Sequence, residues 1–168
     1  CWDDALMIPD MINITEAKVH DSKGMSQRIF AKGTIIVEDK GYFDFGLMKL
    51  RIDYDNDFVI RIKDNTSYEV IAERDLPENE AQHIICDQEI MLTGTAAAKS
   101  GIETYALRRI AVYDDKQKRV IELLTSNMEW SADTISKLYI KRWQIELFFK
   151  ALKQNLQIKP LQELPKTP

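Results

Sequence analysis

Two short apolar runs with one helix-sized segment between them constrain this chain most. Gly33-Thr-Ile-Ile-Val-Glu38 is entered by a glycine and stops at Asp39-Lys40-Gly41, and Phe58-Val-Ile-Arg-Ile62 repeats the pattern twenty-odd residues on. A continuous apolar run of this length reads as a strand buried on both faces. Residues 42–52, YFDFGLMKLRI, can be read as a helix joining them. The strand–helix–strand rhythm predicts an α/β domain with a mixed or parallel sheet. Upstream, residues 5–19 alternate loosely and predict a strand edged by Pro9, and polar residues 21–31 predict a short helix or a loop.

From about residue 66 the rhythm changes. Residues 67–74, 84–93, 103–113 and 118–125 read as short strands joined by polar turns, with Asp114-Asp115-Lys116-Gln117 as a hairpin connection. We therefore expect three parts: a first core portion over 1–65, a β-rich insertion over 66–125 standing outside the main sheet, and a closing helical portion over 126–168. Asn127 or Ser131 is placed to cap the closing helix, and Asp133 favours its first turn.

That helix carries the densest chemical pattern. At about 100° per residue, Tyr139, Arg142, Glu146 and Lys153 share one stripe. Leu138, Ile145, Phe149, Leu152 and Leu156 fill the adjacent one, which predicts a buried face. A phenol, two cations and a carboxylate in one stripe suit a metal ion beside a phosphodiester. The same stripe also fits an ordinary solvated face, on which Glu146 and Lys150 form an i,i+4 pair.

The charge distribution is more informative than its sum. Net charge is −4, yet residues 131–168 hold 7 Lys and Arg against 3 Asp and Glu, while residues 1–130 hold 16 against 24. A polyanion is steered by the local field, so the closing segment suits a DNA partner. The opening Cys1-Trp2-Asp3-Asp4 does not read as a signal peptide, and no apolar run nears the roughly 20 residues of a membrane span. Cys1 and Cys86 form neither a CxxC pair nor a disulfide framework, which fits a cytoplasmic setting. The start at Cys1 and the ending Leu164-Pro165-Lys166-Thr167-Pro168 suggest a piece of a longer protein.

The spacing Y-x2-R-x3-E-x6-K at Tyr139, Arg142, Glu146 and Lys153, within RWQIELFFKALKQN, resembles the signature of bacterial DDE transposases of the insertion-sequence-four family. The words VEDKGYFDF resemble that family's segment bearing its second catalytic Asp. The resemblance implies an RNase H-like α/β fold. It implies Asp39 and Glu146 as catalytic ligands of Mg²⁺, with Mn²⁺ possible, and Arg142 and Lys153 as contacts to DNA. Tyr139 would bond a phosphate or stack; on residue type alone it reads equally as a half-buried aromatic with its hydroxyl outside. Trp143 either packs at the helix edge or supports a displaced base. It further implies cleavage of element ends, strand transfer to target DNA, and a homodimer on DNA in the full-length protein.

One departure matters. The family's first catalytic Asp lies in a DST-like segment absent from this sequence; Asp3, Asp4, Asp10 and Asp21 do not match it. His20-Asp21, in TEAKVHD, resembles a family segment but takes no catalytic role. We expect the chain to be inactive alone. Two rival readings stay open: a non-catalytic DNA-binding or dimerisation fragment, an element relic; and an RNase H-like metal-dependent nuclease without strand transfer. Asp53-Tyr-Asp55-Asn-Asp57 superficially suggests a calcium loop, but Phe58 and Asp64 stand where an EF-hand needs Gly and Glu. His83 is isolated, and Cys86 reads as a buried strand residue.

Overall fold

The computed structural model describes residues 30–76, 83–115 and 117–141. The strand expected at 5–19 and nearly all of the segment at 21–31 lie outside them. The described elements are β1 (Ile35–Glu38), a 3-10 turn (Lys40–Tyr42), α1 (Phe45–Asp53), β2 (Asp57–Arg61), β3 (Tyr68–Glu73), β4 (Ile84–Leu92), α2 (Thr95–Ser100), a second 3-10 turn (Ile102–Thr104), β5 (Ala106–Asp114) and β6 (Arg119–Thr125). A last helix, α3, is described over 132–141.

The strands form one six-stranded sheet in the order β1-β2-β6-β5-β4-β3. β1 and β2 are parallel, in register Ile35↔Asp57 to Glu38↔Ile60, and every other pairing is antiparallel. This is the expected RNase H-like α/β class, a mixed sheet with flanking helices. The antiparallel strands expected between 66 and 125 are present, but not outside the main sheet. β6 pairs with β2 through Val59↔Thr125 to Arg61↔Leu123, so the sheet runs unbroken from β1 to β3. Phe58, Val59 and Ile60 are fully buried, and such a strand must be paired on both edges, which β6 accomplishes.

Alternation along the strands sorts side chains into two cores. On one face, Phe58, Ile60, Ile90, Leu107 and Leu124 pack under Met48 of α1 and Ala97 of α2. On the other, Val59, Ile110, Val112, Ile121 and Leu123 pack under Ala132, Ile135 and Tyr139 of α3, with Ile35 and Val37 of β1 at the margin. Full burial of a side chain such as Phe58 is worth about 1.5–3 kcal/mol.

Local signals explain the helix ends. The Asp44 carboxylate accepts from the Leu47 N–H at 2.9 Å and caps α1. The Ser131 hydroxyl accepts from the Thr134 N–H at 3.2 Å, so of the two expected caps it is Ser131 that starts α3. Helix α2 was not expected, since TGTAAAKSG reads as a polar turn between strands. Its alanines favour helix, and Gly101 ends it at φ 78°, where its N–H donates to Ala97 O and Ala98 O. The acidic run at 53–57 is not one loop. Asp53 ends α1, Asp55 turns at φ 55°, and Asp57 opens β2, each with a different partner.

Candidate active site

Parallel β1 and β2 end side by side, and in sheets of this kind ligands gather beyond the carboxyl ends of the strands. Asp39 directly follows β1 and keeps an extended backbone, φ −76° and ψ 158°. Its carbonyl accepts from the Tyr42 N–H at 2.8 Å, closing the 3-10 turn. Because Ile35 and Val37 face α3, the continued alternation puts Asp39 on the α3 face of the sheet, half-buried.

Glu38 takes the opposite face. It is 3% exposed and pairs with Arg51 of α1, itself 2% exposed, with Nη2 to Oε1 at 3.3 Å. The Arg51 guanidinium also lies over the Phe30 ring, 4.8 Å from its centroid. Burial pushes the Glu38 carboxyl above the usual carboxylate range, and Arg51 pulls part of the way back. The sequence carried a signal for this pair, an acid closing an otherwise apolar strand, although Glu38 and Arg51 were not among the expected site residues.

Beside Asp39, the neighbouring strand end is cationic. Arg61 is one register step beyond the Glu38↔Ile60 pairing, and two residues past Val59, which places it on the α3 face as well. No hydrogen bond or ion pair to its guanidinium occurs among the described residues. Lys63 Nζ donates to the Phe43 carbonyl at 3.1 Å. Lys40 Nζ reaches Asp64 at 2.9 Å and holds that exposed carboxyl below its ordinary range, with a smaller pull from Arg61.

Tyr139, expected at the DNA, is 3% exposed and lies within the α3-side core. Its ring serves packing, which is the more buried form of the aromatic reading. Arg142, Trp143, Glu146 and Lys153 lie outside the described residues. Among the described residues no three of His, Cys, Asp and Glu converge. Asp39 is the described member of the expected ligand set, and its hard carboxylate oxygens suit Mg²⁺ or Mn²⁺.

The approach to α3 is held by polar groups of which sequence reasoning had singled out only Asn127, as a candidate cap. The Asn127 side chain accepts from the Trp130 N–H at 2.8 Å and the Glu129 N–H at 3.2 Å, and donates to Asp57 at 2.7 Å. The Ser126 hydroxyl donates to the other Asp57 oxygen at 2.7 Å. From β5, Arg108 grips Asp87 with two parallel bonds, Nε to Oδ1 at 2.7 Å and Nη2 to Oδ2. Its remaining nitrogen donates to the Trp130 carbonyl and, at 3.4 Å, to that of Asn127. Arg74, past β3, donates to the Met128 carbonyl at 2.9 Å and to Glu89 at 2.7 Å. Asp87 and Arg108 each interrupt an apolar strand run, ICDQEIML and ALRRIAV, and that interruption is the signal of a buried pair.

No helix among the described residues is long and apolar enough to cross a membrane. Residues 6–162 match the profile of the transposase DDE domain. A protein of Sinorhizobium fredii named as a transposase is 31% identical over 153 residues, 90% of this chain and 42% of its own length. A Synechocystis protein named as the transposase of an insertion sequence element is 30% identical over 162 residues, 92% of this chain and 42% of its own. One from Geobacillus stearothermophilus, also named for an insertion sequence element, is 28% identical over 127 residues, 76% of this chain and 32% of its own. The chain thus spans under half the length of each relative. With the profile covering nearly all of it, the chain belongs to the transposase DDE domain family.

Proposed function

We propose that this chain is part of the catalytic domain of a DNA transposase, with Asp39 and Glu146 as two of its metal-binding carboxylates. The observation that carries the reading is the position of Asp39, at the carboxyl end of β1 on the face that α3 covers. Glu146 follows α3 in sequence with the Y-x2-R-x3-E-x6-K spacing, so both carboxylates are assigned to that side of the sheet. A divalent ion, Mg²⁺ or Mn²⁺, supplies activation of the attacking oxygen and stabilisation of the leaving oxygen at a phosphodiester. The chain's own residues bind and orient the DNA. Arg142 offers a bidentate fork to a phosphate, Lys153 a point charge, and Arg61 a further cation beside Asp39. Trp143 is assigned to the DNA as well, while Tyr139, buried in the α3-side core, anchors the helix by packing. Water attack at an element end, then attack of the freed 3′-hydroxyl on target DNA, is the proposed sequence, carried out by a homodimer of the longer protein.

The test is a cleavage assay on a labelled element end, run with a gel-shift titration. The longer protein containing an upstream Asp-bearing segment should cleave in Mg²⁺, and the 168-residue chain alone should not. Glu146→Gln should abolish cleavage and leave end binding within about threefold, because a carboxylate ligand to the metal acts in the chemical step. Arg142→Ala should weaken binding and lower the salt slope by roughly one. Sustained cleavage by Glu146→Gln would assign the chemistry elsewhere.

A further inference from the structure

We infer that the buried Asp87–Arg108 pair, with Arg74 beside it, is a positioning clamp that fixes where α3 leaves the sheet and so aims the residues that follow it. The inference rests on the proposed active site. Asp87 lies on β4, Arg108 on β5 and Arg74 just past β3, all far from Asp39 in sequence.

Arg108 is 2% exposed and Asp87 4%. A buried arginine must satisfy a planar fork of donors, and this one divides them. Two bonds fix the guanidinium plane on Asp87, and the remaining nitrogen addresses the carbonyls of Asn127 and Trp130. Arg74 takes the carbonyl between them, that of Met128, and stands 3.8 Å from the same Asp87 carboxylate. Three carbonyls of one short loop are therefore held by two arginines that share one acid, and α3 begins two residues past Trp130. Stability alone does not call for this arrangement, since well-packed apolar residues in place of a buried ion pair are often as stable or more so. What the pair supplies is direction, because a bidentate fork tolerates little rotation. A misplacement of 1 Å at a reacting centre can cost on the order of a hundredfold in rate.

The variants are Asp87→Leu with Arg108→Met as an apolar double, Arg108→Lys as the conservative change, and Arg74→Ala, which deletes one carbonyl donor at a partly exposed position. Each is made in the longer protein, free of DNA for hydrogen exchange and with an element end for cleavage and binding. In the double variant, exchange over residues 127–135 should rise about tenfold or more while peptides over β1 and β2 stay unchanged. Cleavage should fall by about 10- to 100-fold with end binding within about threefold. Arg108→Lys should lie between the double variant and wild type, since an ammonium reaches Asp87 or a carbonyl but does not form the fork. Unchanged exchange over 127–135 in a folded double variant would overturn the clamp. So would a uniform rise across the sheet accompanied by equal losses of binding and cleavage. Should the double variant fail to fold, Arg74→Ala decides: faster exchange confined to 127–130 supports the clamp, and none overturns it. The exchange result does not depend on the catalytic assignment. Cleavage by Glu146→Gln would sink the site reading and leave the clamp standing, whereas unchanged exchange would do the reverse.

Discussion

Asn127 offers the sharpest quantitative test of how the loop before α3 is held. It is 6% exposed, and truncation to Ala removes three hydrogen bonds at once. The two to the Glu129 and Trp130 N–H groups are neutral and worth about 1 kcal/mol each; the one to the Asp57 carboxylate is charge-assisted, about 1.5–3 kcal/mol. Asp57 is only half-buried and keeps Ser126, so water recovers part of that last loss. The expected cost is about 3 kcal/mol, or a melting shift of roughly 6–12 °C for a domain of this size.

Asn127→Asp separates the acceptor from the donor. It keeps the oxygen that the two N–H groups address but sets a second carboxylate against Asp57, at a contact now 2.7 Å long. Two such acids share one proton in the folded state, so one folded pKa is raised. The sign follows from linkage. The folded variant binds more protons than its unfolded chain above the ordinary carboxylate range, so its stability relative to wild type rises as pH falls from 7 toward 5. The gain is at most about 1.4 kcal/mol per pH unit. Thermal melts of wild type, Asn127→Ala and Asn127→Asp at pH 5, 6, 7 and 8 supply the comparison. A gap between Asp and Asn that does not change with pH would refute the shared-proton argument. An Asn127→Ala variant within 1 °C of wild type would refute the hydrogen-bond accounting.

Three further outcomes are expected. Arg51→Ala should cost about 3–5 kcal/mol in a denaturant titration, because it leaves the Glu38 carboxylate buried without its cation. Gly101→Ala should lower stability by about 1 kcal/mol in the same titration, since φ there is 78° and the added methyl meets the Lys49 side chain at 3.4 Å. Arg61→Ala should weaken end binding of the longer protein and reduce the salt slope by roughly one while leaving the melting temperature within about 2 °C, as its guanidinium makes no hydrogen bond or ion pair among the described residues and exerts only a minor pull on the exposed Asp64.

The parts of the fold carried by local pattern were legible from sequence. Apolar runs located β2 to within a residue and β1 to within two, and alternation located β3 to β6. Their arrangement was less legible. Pairing between β2 and β6 joins residues more than sixty positions apart, and no local period encodes it. The strands from 66 to 125 therefore read as a separate module when they extend the same sheet. The strand-end position of Asp39 was legible because an apolar run stops there, while the role proposed for it came from the resemblance of VEDKGYFDF. The Asp87–Arg108 pair was not, since each partner alone looks like a polar interruption of a strand, and only the β4–β5 register, Asp87↔Ile110 beside Glu89↔Arg108, brings them together. Tyr139 shows the limit of helical arithmetic. Spacing gives angular position, but which arc faces the sheet depends on what the sheet offers, and here the α3-side core takes in its ring.

The continuity of the sheet bears on how distant residues influence the site. A detached module would leave the path from Asp39 to the signature helix to a flexible connection. Instead β2 supplies Arg61 at its carboxyl end and Asp57 at its start, and Asp57 binds the loop from which α3 departs. β6 pairs along β2 and ends in that same loop, and β5 and β4 add Arg108 and Asp87 to it. The departure point of α3 is thus fixed against the strand that stands next to Asp39 by backbone pairing and buried hydrogen bonds, both of which are stiff. Rigid elements hold reacting groups more closely than loops do. If the proposed site is correct, substitutions on β4 and β5, far in sequence from Asp39, should for that reason act on the cleavage rate of the longer protein before they act on its DNA affinity.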